Sequence, residues 1–243
     1  MNMLIIWFMI SIWINILMFI PAYFFKTDKL TDISYSISFI VLALIMIIYQ
    51  NIWIVPLMVI VRAIRLWSYL LIRIFKIQKD NRFDEMRNDR KKFIKFWLLQ
   101  WLSVAIISTS LLLSTNNDVW IVWIIIRTVG LLIESVADYQ KYKFILNKKK
   151  WWISTWLRKY SRHPNYFGEI LCWIGVYITA FPSLLNTNKI IALISPLFII
   201  ILLLFISWIP LLEKSWNKKR WNNQEYKKYI KKTSIIIPRF HKN

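Results

Sequence analysis

Ionisable side chains stand inside several of the longest apolar runs of this chain, and their spacing is helical. Arg62, Arg65 and Arg73 interrupt one run, with Tyr69 a turn beyond Arg65. Arg65, Tyr69 and Arg73 recur every four residues, which stacks them on one helix face. Arg127, Glu134, Asp138 and Lys141 occupy another run at spacings of seven, four and three, again one face. Two carboxylates a turn apart repel unless a cation or a hydrogen-bond donor lies between them. A ligand could supply that donor, while Arg127 and Glu134 could equally form a structural pair within a bundle. A third cluster is the string Ser161-Arg162-His163-Pro164-Asn165-Tyr166-Phe167-Gly168-Glu169. Proline at a first helical turn starts a helix cleanly, and Glu169 then lies one turn from Asn165 on the same face. His163 has no second histidine or cysteine near it and Cys172 is the lone cysteine, so neither a metal site nor a disulfide framework is expected. With three glycines in 243 residues, no Gly-rich phosphate loop or Rossmann fingerprint can be built. Nor is there a Gly-x-Ser-x-Gly elbow. Any nucleotide must be held by side chains.

The elements that position these groups follow from composition. The chain is 58% hydrophobic yet carries 33 Lys and Arg against 12 Asp and Glu, a formal charge of +21. A nucleic-acid binder could be as basic, but here long uncharged apolar runs separate the basic stretches. That pattern fits apolar segments in lipid with basic loops against anionic headgroups. A span needs about 20 helical residues. Seven segments approach that length: 3 to 25, 33 to 49, 53 to 75, 95 to 114, 119 to 140, 165 to 182 and 189 to 212. Lipid satisfies no backbone hydrogen bonds, so these predict helices rather than open strands. The first is read as a retained helix, since it lacks the basic start of a signal peptide. An ionised group within such a span costs at least about 2.5 kcal/mol, so the clustered charges are expected in the bundle interior.

Charge asymmetry sets the expected orientation. Segments 76 to 95 and 141 to 163 hold eight Lys or Arg each and the tail from Glu213 holds ten, whereas loops 114 to 118 and 182 to 189 hold one between them. The expectation is therefore an all-α polytopic membrane protein of about seven spans, N-terminus outside and C-terminus cytoplasmic. It is a single membrane-embedded domain over 1 to 243, in a cell membrane or the endoplasmic reticulum. The tail, with Trp216, Trp221, Tyr226 and Tyr229 among its lysines, reads as an amphipathic interfacial helix closing at Ile237-Pro238.

The Ser161 to Glu169 string, with Trp173-Ile174-Gly175 after it, resembles the signature of the steroid 5α-reductase-like superfamily, in an uncharacterised branch. The resemblance continues in Glu134, Ala137-Asp138-Tyr139-Gln140-Lys141 and Phe144. Downstream it takes in Leu211-Leu212-Glu213-Lys214, Tyr226, Tyr229, Thr233-Ser234 and Ile237-Pro238. Arg65-Leu66, Arg73 and Asp80-Asn81-Arg82-Phe83 look like a matching third-span element. The similarity covers most of 60 to 240, and 1 to 60 reads as variable N-terminal spans. It implies a seven-span enzyme that holds NADPH and reduces a carbon-carbon double bond, typically one conjugated to a carbonyl, in a lipid- or steroid-like substrate.

By resemblance the family's cofactor positions fall on Asn165, Tyr166, Glu169, Glu134, Asp138 and Lys214, and Arg65, Tyr69, Arg73, Lys141, Arg162 and His163 complete the expected cofactor-binding set. Arginines and lysines suit phosphates, and carboxylates suit ribose hydroxyls or the nicotinamide amide. At the substrate end the steroid enzymes use a glutamate and a tyrosine. This chain departs from them, offering Asp32 and Tyr35, with Arg62 where the tyrosine would be expected. The expected partners are a lipid-like substrate and membrane lipids, with no nucleic acid and no metal. The rival reading is an S-adenosylmethionine-dependent methyltransferase of the isoprenylcysteine or phospholipid type, which shares an Arg-His-Pro-x-Tyr motif but typically shows Glu-Glu where this chain has Glu213-Lys214. A non-enzymatic membrane scaffold is a third.

Overall fold

A computed structural model describes residues 3–27, 29–76, 89–114, 121–147, 152–206 and 208–239. The Asp80 to Phe83 element lies outside them, as do the side chains of Asp32 and Arg73. Among the described residues the chain is helical, with a single isolated β-bridge between Ser161 and Ser234. The described helices are α1 (Met3–Phe24), α2 (Lys29–Gln50), α3 (Ile54–Lys76), α4 (Arg90–Ile107), a one-turn α5 (Thr109–Leu112), α6 (Ile121–Asn147), α7 (Pro164–Ala180), α8 (Asn186–Ile201), α9 (Trp208–Arg220) and α10 (Gln224–Lys232). Each of the seven apolar segments is thus mainly helical over its described residues.

Five helical stretches are long and apolar enough to cross a membrane, among them the 35-residue run from Asn186 to Arg220. The other two segments fall short for visible reasons. α7 has only 17 residues, and α6 carries Arg127, Glu134 and Asp138 along its length. The exposed faces agree with a lipid surrounding. Trp13, Leu17, Ile20 and Phe24, one stripe of α1, are 59, 62, 48 and 77% exposed. An apolar stripe of that size is stable only against lipid or another protein surface.

The chain forms two compact units, Met1–Val119 with Val176–Ser195 and Trp120–Gly175 with Pro196–Asn243. In the first, α2 packs between α1 and α3, and α4 contacts α1 and α2. Phe39, Leu42, Ala43 and Met46 bury one face of α2 at helical spacing. Serines do the interhelical bonding. Asn15 Nδ2 donates to Ser38 Oγ at 3.4 Å and Ser34 Oγ donates to Asn15 Oδ1 at 3.4 Å, joining α1 to α2. Asn51, at φ 58°, closes α2 in the left-handed conformation that asparagine tolerates. The Asp89 carboxylate caps α4 by accepting from the amides of Lys91 and Lys92, which starts that helix five residues before the apolar segment. Those amides, Lys92 first, hold the carboxyl below its ordinary range. Pro196 lacks the N–H that would bond the carbonyl of Ala192. Ser110 Oγ donates to that carbonyl instead, at 2.7 Å.

In the second unit α6 and α7 run antiparallel, and all three glycines of the chain sit in their seam. A Cβ on Gly168 would stand 2.5 Å from the Gly130 carbonyl oxygen and 2.6 Å from the Glu134 nitrogen. A Cβ on Gly175 would stand 2.9 Å from the Arg127 Cβ. The backbones approach closely because no side chain separates them. α8 passes through a π-helical segment, Leu202–Ile206, before α9. Pro210 removes the N–H that would bond the Ile206 carbonyl, so the irregularity falls where the ordinary ladder has lost a donor. The tail expected as one interfacial helix is divided, with Trp216 in α9, Tyr226 and Tyr229 in the amphipathic α10, and an extended segment from Thr233.

Candidate functional site

The second unit gathers the polar groups of the signature string around the start of α7. Pro164 occupies the first helical position, and the His163 carbonyl accepts from the amides of Tyr166 at 3.1 Å and Phe167 at 3.2 Å. The residues just before it are held from the other side by the extended C-terminal segment. Arg162 N donates to Ser234 O at 2.8 Å and His163 N to Ile235 O at 3.1 Å. Ser161 Oγ donates to Ile236 O at 2.6 Å, and Arg239 N to Tyr160 O at 3.2 Å. This clamp joins regions more than seventy residues apart and makes the loop rigid without a strand.

Inside the clamp lies a buried ionic cluster. Arg162 Nη1 donates to Glu213 Oε2, and His163 Nε2 lies 2.8 Å from Glu213 Oε1. An ionised carboxylate only accepts, so the proton sits on Nε2 of the imidazole. His163 is 1% exposed and its ring is stacked between Tyr166, at 5.6 Å and 16°, and Trp216, at 5.3 Å and 10°. The Arg220 guanidinium lies 5.7 Å from the Trp216 ring and 5.8 Å from the Tyr226 ring, extending the stack. Arg158, 4% exposed, donates from Nη1 to the Arg162 carbonyl at 2.6 Å. The Arg158 carbonyl in turn accepts from Tyr229 Oη at 2.9 Å. Burial pushes the Tyr229 phenol up to about 12, so it remains a donor.

Burial pushes the His163 pKa below its ordinary value near 6.5, the Glu213 carboxylate opposes that shift, and Arg158 and Arg162 add to it. The neutral ring therefore belongs to the folded state. On acidification the unfolded chain takes up a proton near pH 6.5 that the folded chain refuses. Stability is then full above about pH 6.5 and falls below it, by at most about 1.4 kcal/mol per pH unit. Melting temperatures measured from pH 7.5 to 6 should decline, and His163→Asn should flatten that decline. An unchanged slope in the variant would place the titration elsewhere.

Along the α6–α7 seam lie the acidic candidates. Glu134 is 4% exposed and Asp138 7%, with Arg127 at 3% about two turns before Glu134 in the span. Cys172 Sγ donates to the Arg127 carbonyl at 3.7 Å, so this cysteine is part of the seam. The antiparallel register that sets Arg127 against Gly175 and Glu134 against Gly168 carries Asn165 level with the turn containing Ala137 and Asp138. Asn165 Oδ1 is buried with no hydrogen-bond partner, and so are both amide atoms of Gln140. Each such group costs about 1–3 kcal/mol until something satisfies it. Among the described residues no group of histidines, cysteines and carboxylates is arranged to hold a metal.

The sequence-derived candidates therefore separate. Glu134, Asp138, Asn165, Tyr166, Glu169, Arg162 and His163 all fall on α6, α7 or the loop before α7, and Lys141 is half-buried near the end of α6. Lys214 is exposed, whereas its neighbour Glu213 turns into the cluster. Arg65, Tyr69 and Tyr35 belong to the first unit, all half-buried, with the Tyr35 ring edge-on to Phe39 at 4.8 Å. Glu213, Trp216, Arg158, Ser161 and Gln140 fall outside the predicted site set, although Ser161, Gln140 and Glu213 stand in the family-like strings. Trp216 and Gln140 carried a usable signal. Trp216 lies one helical turn from Glu213, and an amide one residue before Lys141 is costly unless it is bonded.

No curated protein and no solved structure matches this chain. A family model matches residues 18–233, nearly the whole of the chain described above and including both the α6–α7 seam and the His163 cluster. That family is associated with the steroid 5α-reductase-like superfamily. The chain belongs to the family described as "Protein of unknown function (DUF1295)".

Proposed function

We propose that this chain is a membrane-embedded, NADPH-dependent reductase of a carbon-carbon double bond conjugated to a carbonyl, acting on a lipid- or steroid-like substrate. The observation that carries the reading is the partnerless buried Asn165 Oδ1 on a seam that also buries Glu134 and Asp138. That buried acceptor fits a ligand bringing a hydroxyl or amide donor, as the ribose and carboxamide of a nicotinamide dinucleotide do. When bound, NADPH supplies the hydride. Glu134, Asp138 and Glu169 accept from hydroxyl or amide groups, Asn165 and Tyr166 orient, and Lys141 faces phosphate.

Titration of detergent-purified protein tests this. NADPH should bind saturably, and Asn165→Ala and Glu169→Ala should each weaken it about tenfold, the effect of about 1.4 kcal/mol. Binding of S-adenosylmethionine with none for NADPH would transfer the chain to the methyltransferase reading.

The charge distribution supports seven spans with the C-terminus cytoplasmic. A cysteine at Asn147 should then react with an impermeant reagent from the cytoplasmic side, and one at Asn186 from the opposite side. The native Cys172 is 1% exposed and contributes little background. Reversed labelling would invert the topology.

A further inference from the structure

Within the second unit, an apolar groove of about 590 Å³ lies between α7, the π-segment after α8 and the extended C-terminal residues. Phe167, Ile170, Ile174, Leu204 and Ile237 are among its lining residues, and Arg239 is the charged one. Its size is that of a small-molecule site. It is distinct from the polar seam: Gly168 and Gly175 of α7 face α6, while the groove takes Phe167, Ile170 and Ile174.

This lining is unusual for a tail so basic. Ile235-Ile236-Ile237 is an apolar triplet set between Lys231-Lys232 and Arg239. Ile235 and Ile237 remain 43 and 63% exposed, although the backbone bonds to Tyr160, Arg162 and His163 hold the segment in place. The groove is therefore a built feature, apolar except for Thr233, Ser234 and the cationic Arg239. From Glu213 onward the chain has ten Lys and Arg against two carboxylates, Glu213 itself and Glu225. Glu213 is already paired with Arg162 and His163. An occupant needs a hydrocarbon chain to match the apolar lining and a negative headgroup to match Arg239.

We propose that this groove binds the acyl chain of an acidic bilayer phospholipid, with the headgroup at Arg239. A lipid held there packs the exposed isoleucines and ties the C-terminal clamp, and with it the His163 loop, to the membrane surface. The proposal rests on the groove and its charge, not on the reductase reading, and Asn165→Ala should leave it untouched.

Native mass spectrometry of the full chain, released from detergent with added phosphatidylglycerol or phosphatidylcholine of identical chains, tests it. Phosphatidylglycerol should be retained at about fivefold lower concentration, the effect of one basic side chain near a headgroup. Arg239→Gln, at an exposed position, should bring it to the phosphatidylcholine level. Leu204→Trp, which fills the groove, should reduce retention of both lipids; if that variant does not fold, Arg239→Gln decides alone. Equal retention of the two lipids by the native chain, or a preference that survives Arg239→Gln, overturns the proposal.

Discussion

Gly168→Ala is expected to destabilise the protein by about 3 kcal/mol or more, at the upper end of what one added methyl costs in a packed interior. The atoms that the new Cβ meets at 2.5 and 2.6 Å are backbone atoms, the Gly130 oxygen and the Glu134 nitrogen. Neither can rotate away. Relief requires α6 and α7 to separate, which would also move Glu134 relative to Asn165 and Glu169. Gly175→Ala should cost less, because its Cβ meets the Arg127 side chain at 2.9 Å and the Arg127 Cα only at 3.3 Å. Thermal unfolding in detergent, followed by the monodisperse fraction on size exclusion, reads both variants. A Gly168→Ala protein that melts with the native chain would show that the helices do not meet as closely as described.

Glu213→Ala has the second largest expected effect, about 3 kcal/mol, at the lower end for breaking a buried ion pair. The low end applies because the Arg162 and Glu213 side chains are 9 and 15% exposed, so some water still reaches the orphaned charge. The damage comes from what is left behind, Arg158 and Arg162 beside a neutral His163 with no carboxylate. Glu213→Gln should retain part of the stability, since an amide oxygen still accepts from one of the two donors. The double variant Arg162→Met/Glu213→Leu should recover part of the loss, because the Arg162 charge that paired with the carboxylate is gone while Arg158 remains. Additive losses in the double variant would mean that the two side chains act independently.

Both predictions fall where short side-chain or backbone contacts are made between elements far apart in sequence, and this separates what could be read beforehand from what could not. Helical periodicity and apolar length are local properties, so over their described residues all seven apolar segments emerge as mainly helical, with ends displaced by a few residues. Some displacements have local causes of their own, such as the Asp89 cap that starts α4 early, and the π-segment after α8 ends where Pro210 removes a ladder donor. The face formed by Arg127, Glu134 and Asp138 was legible for the same reason. Spacing alone puts them together, and the cost of exposing them to lipid puts them inside.

Partners across the fold are another matter. That Glu213, rather than the adjacent Lys214, enters the His163 cluster depends on the direction in which α9 leaves the π-segment, a rotation of about 100° per residue that no local pattern encodes. The stack of Tyr166, His163 and Trp216 and the C-terminal clamp on Ser161 join residues some fifty to seventy-five positions apart. The sequence by itself determined the helices, their apolar faces and the cost of the buried charges, because these depend on neighbours within a turn or two. Only the tertiary structure decided that the chain's three glycines serve a single seam, that the acidic tail residue pairs with Arg162 and His163, and that an apolar groove opens beside them. Those outcomes depend on how helices cross, which is set by close packing summed over many contacts at once.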